Sequence, residues 1–246
     1  MNYITYGKRE NKSLLFIHGL ASTAALCFEP LLPYLKDYYV ILCELDGHCG
    51  VKPDDVFSMK RSIDDIENYI KTELDGEIYG LCGFSIGGTM AVELLCRKNI
   101  SVQRVVLDAP ITIDMGPMAW LYALAFTVGT GRIRKGKRIP KCLLDSVMGK
   151  DNNSVIEMMY PDITKKTIKN AFKYLHHYMI PRNLSDFSKP VLLLRGSLEP
   201  LPSKSEEKLR EYLPQMSVEV FEGMGHGQFL HERPEEYAKK LRAFLL

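Results

Sequence analysis

Ser85 stands between two glycines in Gly83-Phe84-Ser85-Ile86-Gly87. A serine hydroxyl becomes a useful nucleophile only when a neighbouring base takes its proton. It must also project from a sharp strand-to-helix turn to reach a substrate. Such a turn crowds the residues two before and two after, and glycine at 83 and 87 removes the Cβ atoms that would clash there. A helix that starts at the turn aims its first N–H groups at a developing oxyanion. An apolar run precedes Ser85 and a helical pattern, Thr89 to Leu95, follows it.

The base must come from His18, His48, His176, His177, His226 or His231. His226 lies in Glu222-Gly223-Met224-Gly225-His226-Gly227, just after the last strand-like run. Glycines on both sides suit a loop that carries an imidazole to the C-terminal edge of a sheet. His231 opens the last helical stretch and reads as structural. His176 and His177 fall within another helical pattern, and His18 reads as ordering its own loop. A carboxylate behind the imidazole would fix its tautomer and stabilise its charged form. Glu199 in Arg195-Gly196-Ser197-Leu198-Glu199-Pro200 is the first candidate, and Asp108 in Leu107-Asp108-Ala109-Pro110 is the reserve. Both follow strand-like runs, where ligands bind in open α/β sheets.

Phe16-Ile17-His18-Gly19-Leu20 ends an apolar run. Gly19 would let the backbone pass close to the reacting centre, so that the N–H groups of Leu20 and Ile86 both face the oxyanion. Asp46-Gly47-His48 caps another run, either bounding a pocket or simply turning the chain.

The elements that must position these groups alternate along the chain. Strand-like runs occur at Leu14–Ile17, Tyr39–Cys43, Glu77–Cys82, Arg104–Leu107, Pro190–Leu194 and Val218–Phe221. Their solid apolar character suits strands covered on both faces. Helical patterns lie at Ser62–Glu73, Ile86–Arg97, Ser205–Tyr212 and Pro234–Leu246. This is an α/β pattern with a mostly parallel central sheet. From 111 to 188 no strand is visible. Helical patterns at Met118–Phe126 and Ile163–Tyr178, with a basic run Arg132–Lys141, read as a helical cap inserted into a core formed by 1–110 and 189–246.

Bulk properties narrow the function classes. With 246 residues, 46% hydrophobic and a net charge of +2, the chain can bury a core and shows no global charge for nucleic acid. The basic run lacks interleaved aromatics and no recognition motif is present, so no nucleic-acid partner is expected. The longest apolar stretch, Met115–Val128, interrupted by Gly116 and Pro117, is shorter than the ~20 residues of a membrane span, so no integral membrane association is expected. The first residues lack a basic, apolar secretory leader. The six cysteines, at 27, 43, 49, 82, 96 and 142, form no CxxC pair and read as reduced thiols of a cytoplasmic protein. No phosphate loop, dinucleotide fingerprint or H-E-x-x-H motif appears, and neither cofactor nor metal is called for.

Taken together, His18-Gly19, Gly83 to Gly87, Gly196 to Glu199 and Gly225-His226 resemble the α/β-hydrolase family, and the order serine, acid, histidine is similar. The resemblance implies an eight-stranded, mostly parallel sheet with one of the first strands reduced or absent, and a cap between strands six and seven. It implies Ser85 as nucleophile, His226 as base and Glu199 as acid, a departure from the family's usual aspartate. It also implies Leu20 and Ile86 as oxyanion donors.

The expected reaction is cleavage of a small or medium acyl ester through an acyl-enzyme. The alternatives are thioester or carbon–carbon bond hydrolysis on the same triad, and a non-catalytic ligand-binding protein with a vestigial triad. Met115, Met118, Trp120, Leu121, Tyr122, Leu124 and Phe126 suit either an apolar roof over the acyl group or plain helix packing, with Gly19, Trp120 and Tyr122 as substrate-binding candidates. From Arg132 to Arg182, twelve basic residues face Asp145, Asp151, Glu157 and Asp162, an excess of eight. That excess suits a solvated face, an anionic substrate or an anionic membrane surface. The sequence does not set an oligomeric state.

Overall fold

Side chains alternate across a strand, and in this protein both sets are apolar. Leu15 and Ile17 enter one buried cluster while Leu14 and Phe16 enter the other. The strands are therefore sandwiched between two helical layers. A computed structural model describes residues 1–48, 56–150 and 152–246.

The strands are β1 (Asn2–Tyr6), β2 (Ser13–Ile17), β3 (Tyr39–Glu44), β4 (Glu77–Phe84), β5 (Ser101–Asp108), β6 (Val191–Gly196) and β7 (Ser217–Phe221). They form one sheet in the order β1-β3-β2-β4-β5-β6-β7, parallel except for β1. The helices are α1 (Ala24–Phe28), α2 (Met59–Glu73), α3 (Ile86–Arg97), α4 (Met118–Arg134), α5 (Lys141–Met148), α6 (Lys165–Leu175), α7 (Pro200–Arg210), α8 (Gln228–Glu232) and α9 (Pro234–Leu245). Ile63, Ile66 and Ile70 of α2 pack with α3 on one face of the sheet. Phe28 of α1 and Tyr237, Leu241 and Leu245 of α9 cover the other.

Two expectations change. The strand Asn2–Tyr6 is absent from the apolar runs because it is a half-exposed edge strand whose Tyr3 and Thr5 pair with Cys43 and Ile41 of β3. The sheet has seven strands among the described residues, in keeping with the expectation that one of eight is reduced or absent, and the helical segment expected between strands six and seven accordingly falls between β5 and β6. The helix expected from Ser205 begins at Pro200 instead, because proline at the first helical position gives up an N–H that has no partner there anyway.

Between β5 and β6 the described residues hold only α4, α5, α6 and short 3-10 turns. Phe172 of α6 joins this layer together, its ring 5.4 Å from that of Phe126 and 6.2 Å from that of Tyr122 in α4. Helix α4 runs on to Arg134 rather than ending near Phe126, so Arg132 and Arg134 sit in its last turn, where cations meet the negative end of the helix dipole.

Candidate active site

Parallel strands deliver their C-terminal ends to one edge, and the chemistry-bearing residues collect there. Strand β4 ends at Phe84 and α3 starts at Ile86, so Ser85 alone makes the turn, with φ 56° and ψ −117°. This backbone is strained for any residue with a Cβ, and a tightly determined surrounding must hold it. The Ser85 N–H donates to the carbonyl of Asp108 (2.8 Å), and the Ser85 carbonyl accepts from Gly88 and Thr89. A Cβ at Gly87 would lie 2.1 Å from the Ile17 carbonyl oxygen, and one at Gly83 would lie 2.3 Å from that of Gly87. The two glycines let strand, turn and helix close on each other.

His226 follows β7. Its Nδ1 lies 2.6 Å from Glu199 Oε1, and the other oxygen of Glu199 accepts the N–H of Gly196. Glu199 is buried; its position as N-cap of α7 is fixed by Pro200 behind it and Gly196 before it. An ionised carboxylate only accepts, so Nδ1 carries the proton and Nε2 keeps the lone pair a base needs. The imidazole lies 4.9 Å from the Phe84 ring.

The helical segment also holds the histidine. The His226 N–H donates to the Met148 carbonyl (2.8 Å), and the His226 carbonyl accepts from Asn152 Nδ2 (2.8 Å). Asn152 is fully buried and bonds Met148 as well. No sequence signal singled out Asn152, because an asparagine after a glycine and a lysine reads as a surface turn.

Asp108 is buried close to the same pair. Burial first, and then the charge of Glu199, push its carboxyl up to about 7, while the nearby His226 and a hydrogen bond from Tyr237 oppose the rise. The carboxylate hydrogen-bonded to His226 is Glu199, while Asp108 lies buried beside both Glu199 and Tyr237 of α9.

Leu20 and Ile86 both line the pocket that opens over Ser85 and His226. As the first residue of α3, Ile86 has an N–H with no intrahelical acceptor. The N–H of Leu20 has no acceptor among the described residues. A Cβ at Gly19 would sit 3.4 Å from Cβ of Ser85, so the loop does pass close to the turn, though Gly19 is not part of the pocket wall. Below it, buried His18 donates from Nδ1 to the Gly19 carbonyl (2.8 Å), and its Nε2 accepts the N–H of Leu45 (3.1 Å). Glu44 at the end of β3 accepts from the N–H of Ala24 (3.0 Å), so the two ends of the loop are tied to the β3 end through His18 and Glu44. His48 is buried with its ring 5.0 Å from that of His18, and burial pushes its pKa down to about 3. Asp46-Gly47-His48 turns the chain and is not part of the pocket wall.

The pocket holds about 580 Å³ of empty space, counted to its open mouth. Its walls are apolar: Ile111, Met115, Tyr122, Phe126, Met148 and Phe172 surround the polar Ser85, Glu199 and His226. Of the expected roof, Met115, Tyr122 and Phe126 point in, whereas Met118, Trp120, Leu121 and Leu124 are exposed. Trp120 is two residues from Tyr122, roughly 200° around the helix. Its ring meets His176 at 5.7 Å instead of the pocket.

His231 contacts Glu157 at 3.1 Å, away from the pocket. Among the described residues no group of three or more His, Cys, Asp and Glu side chains is arranged to hold a metal. Cys27, Cys43, Cys82 and Cys96 are buried free thiols and Cys142 is an exposed one, while Cys49 lies outside the described residues. No helix among those residues is long and apolar enough to cross a membrane.

Residues 14–240 match the alpha/beta hydrolase family, and the chain belongs to it. It is 24% identical over 237 residues to a pimeloyl-(acyl-carrier protein) methyl ester esterase of Nitrosomonas europaea, covering 91% of this chain and 92% of that one. It is 23% identical to carboxylesterase YbfK of Bacillus subtilis, covering 98% and 83%. Its fold superposes with a TM-score of 0.86 on an alpha/beta hydrolase family protein from Desulfitobacterium hafniense, at 23% identity and with 100% of both chains covered. Family membership and the esterase names of these relatives support an enzyme.

Proposed function

We propose that this protein hydrolyses carboxylic esters through an acyl-enzyme on Ser85. The observation that carries the reading is the 2.6 Å bond between Glu199 and His226 Nδ1, which keeps Nε2 free in a pocket whose wall includes the strained Ser85. In the reaction, Nε2 of His226 takes the Ser85 proton as Oγ attacks the ester carbonyl. The N–H groups of Leu20 and Ile86 receive the oxyanion. The histidine then protonates the leaving alcohol, the C–O bond breaks, and the acyl group remains on Oγ. Water, deprotonated by the same nitrogen, attacks the acyl-enzyme and releases the carboxylic acid.

The apolar walls and limited volume favour a small or medium acyl chain. The relatives named as a methyl ester esterase and a carboxylesterase agree in bond type.

The test is labelling with a fluorophosphonate, followed by turnover of p-nitrophenyl esters of rising chain length. Labelling of the native chain that vanishes in Ser85→Ala, with turnover falling by about 10⁴-fold or more, is the expected result. A folded native chain that binds apolar esters without labelling would replace the enzyme with a binding protein.

A further inference from the structure

Helix α4 is apolar all round, a character that normally means burial on every side. It is buried on one side only. Tyr122 and Phe126 face the pocket and Ala119 and Ala123 are packed, but Leu121 is 67% exposed and Leu124 61%. Val128 is exposed one turn further on, and spacings of three and four residues put the three on a single stripe. Trp120 and Met118 flank its start, both more than a third exposed.

What continues the stripe is positive. Lys135 follows Val128 by two turns, beside Arg132, Lys137 and Arg138. Arg134 is paired with Asp162, but no acidic side chain pairs with Lys135, Lys137 or Arg138 among the described residues. The neighbouring helix α6 adds exposed Lys165, Lys166, Lys169 and Lys173. Leucines on one stripe with unpaired cations at its end match a surface of mixed character, apolar inside and anionic at its boundary. With 17 residues, about 25 Å, the helix is too short to span a bilayer and would have to lie along it.

We propose that the outer face of α4 and the cations that continue it dock this protein onto an anionic lipid surface. The inner face of the same helix lines the pocket, so docking would bring the pocket wall to the lipid and favour ester substrates that partition there. The docking itself does not depend on the chemistry assigned to Ser85.

The experiment is co-sedimentation of the full chain with vesicles of phosphatidylcholine alone and of phosphatidylcholine containing roughly a third phosphatidylglycerol. Binding to the anionic vesicles, at least about tenfold weaker on neutral ones and reversed by high salt, is expected. Leu121→Asp with Leu124→Asp, and separately Lys135→Glu with Lys137→Glu and Arg138→Glu, should each weaken it about tenfold or more. Turnover of a soluble p-nitrophenyl ester should stay unchanged in both, which shows that they fold. Ser85→Ala should bind vesicles like the native chain, so loss of the ester chemistry and loss of docking are separately visible. No vesicle binding, equal binding to both compositions, or binding unaffected by the paired Asp variants would overturn the proposal. So would a native dimer that the Asp variants split into monomers, which would make the stripe a contact between two copies.

Discussion

The sheet edge and the helical roof face the same pocket but are built by different rules. At the edge, position is set by backbone. Ser85 is held by its backbone bonds to Asp108, Gly88 and Thr89, in a turn that closes only because Gly83 and Gly87 carry no Cβ to meet the Gly87 and Ile17 carbonyls. Glu199 is held by the Gly196 N–H and the start of α7, and His226 by Met148 and Asn152. In the roof, position is set by the rotation of one helix. Tyr122 and Phe126 face the cavity while Leu121 and Leu124, one or two residues away, face outward with nearly the same chemistry. The edge thus suits a reaction, which depends on fractions of an ångström. The roof suits selection among apolar groups, where a methylene more or less changes binding only modestly.

The comparison breaks if the edge tolerates change. Glu199→Gln keeps size and removes charge, so Nδ1 of His226 loses its acceptor of choice and the tautomer is no longer fixed. Ester turnover should fall by roughly 10²–10⁴-fold with little change in KM. Asp108→Asn should cost less than about tenfold, because the bond to Nδ1 of His226 comes from Glu199. If the larger loss followed Asp108→Asn instead, the acid would be Asp108 and the Glu199 contact only structural.

Asp108 sharpens the same comparison through stability. Burial and the Glu199 charge raise its carboxyl from 3.8 to about 7. Below pH 4 folded and unfolded chains both keep this proton, and the group has no effect. Between about 4 and 7 the unfolded chain has released it while the folded chain still binds it, so native stability falls as pH rises through that window and levels off above it. Asp108→Asn removes the slope. Relative to the native chain, it should gain stability from pH 4 to pH 7, by up to about 4 kcal/mol, and no further above pH 7. Thermal unfolding of both proteins across that range measures it, and a pH-independent difference would mean that the carboxyl is not raised.

This division also explains what the sequence disclosed. Gly83 to Gly87 and Gly225-His226 are legible because backbone constraints demand particular residue types at particular spacings. Glu199 and Asp108 both follow strands, and only the side-chain contact shows which of them meets His226. The parallel strands were legible as solid apolar runs, whereas Asn2–Tyr6 was not, since an edge strand half-open to water loses that signature. The helical segment resisted most. Helix α4 is apolar on both faces, so its pattern carries no phase from which to tell Trp120 from Tyr122. Asn152 and Glu44 act by holding other loops in place, and such roles depend on contacts between distant segments that local sequence does not display.

The smallest expected effect lies in the roof itself. Phe126 lines the pocket and also packs on Phe172, so Phe126→Ala should open the acyl cavity and shift the preferred p-nitrophenyl ester toward longer chains. A loss of about two methylenes' worth of contact, about 1.4 kcal/mol, predicts roughly a tenfold change in kcat/KM for the original best substrate. Trp120→Ala removes the larger side chain, yet its ring meets His176 and partly faces solvent, so the chain-length profile should stay as it was. The pair separates rotation from composition, because both positions carry aromatics in one helix and differ chiefly in the face they occupy. Equal shifts from both variants would mean that the helix turns or moves over the pocket when substrate enters. A shift from Phe126→Ala alone would fix the phase of α4 as the feature that selects the acyl chain.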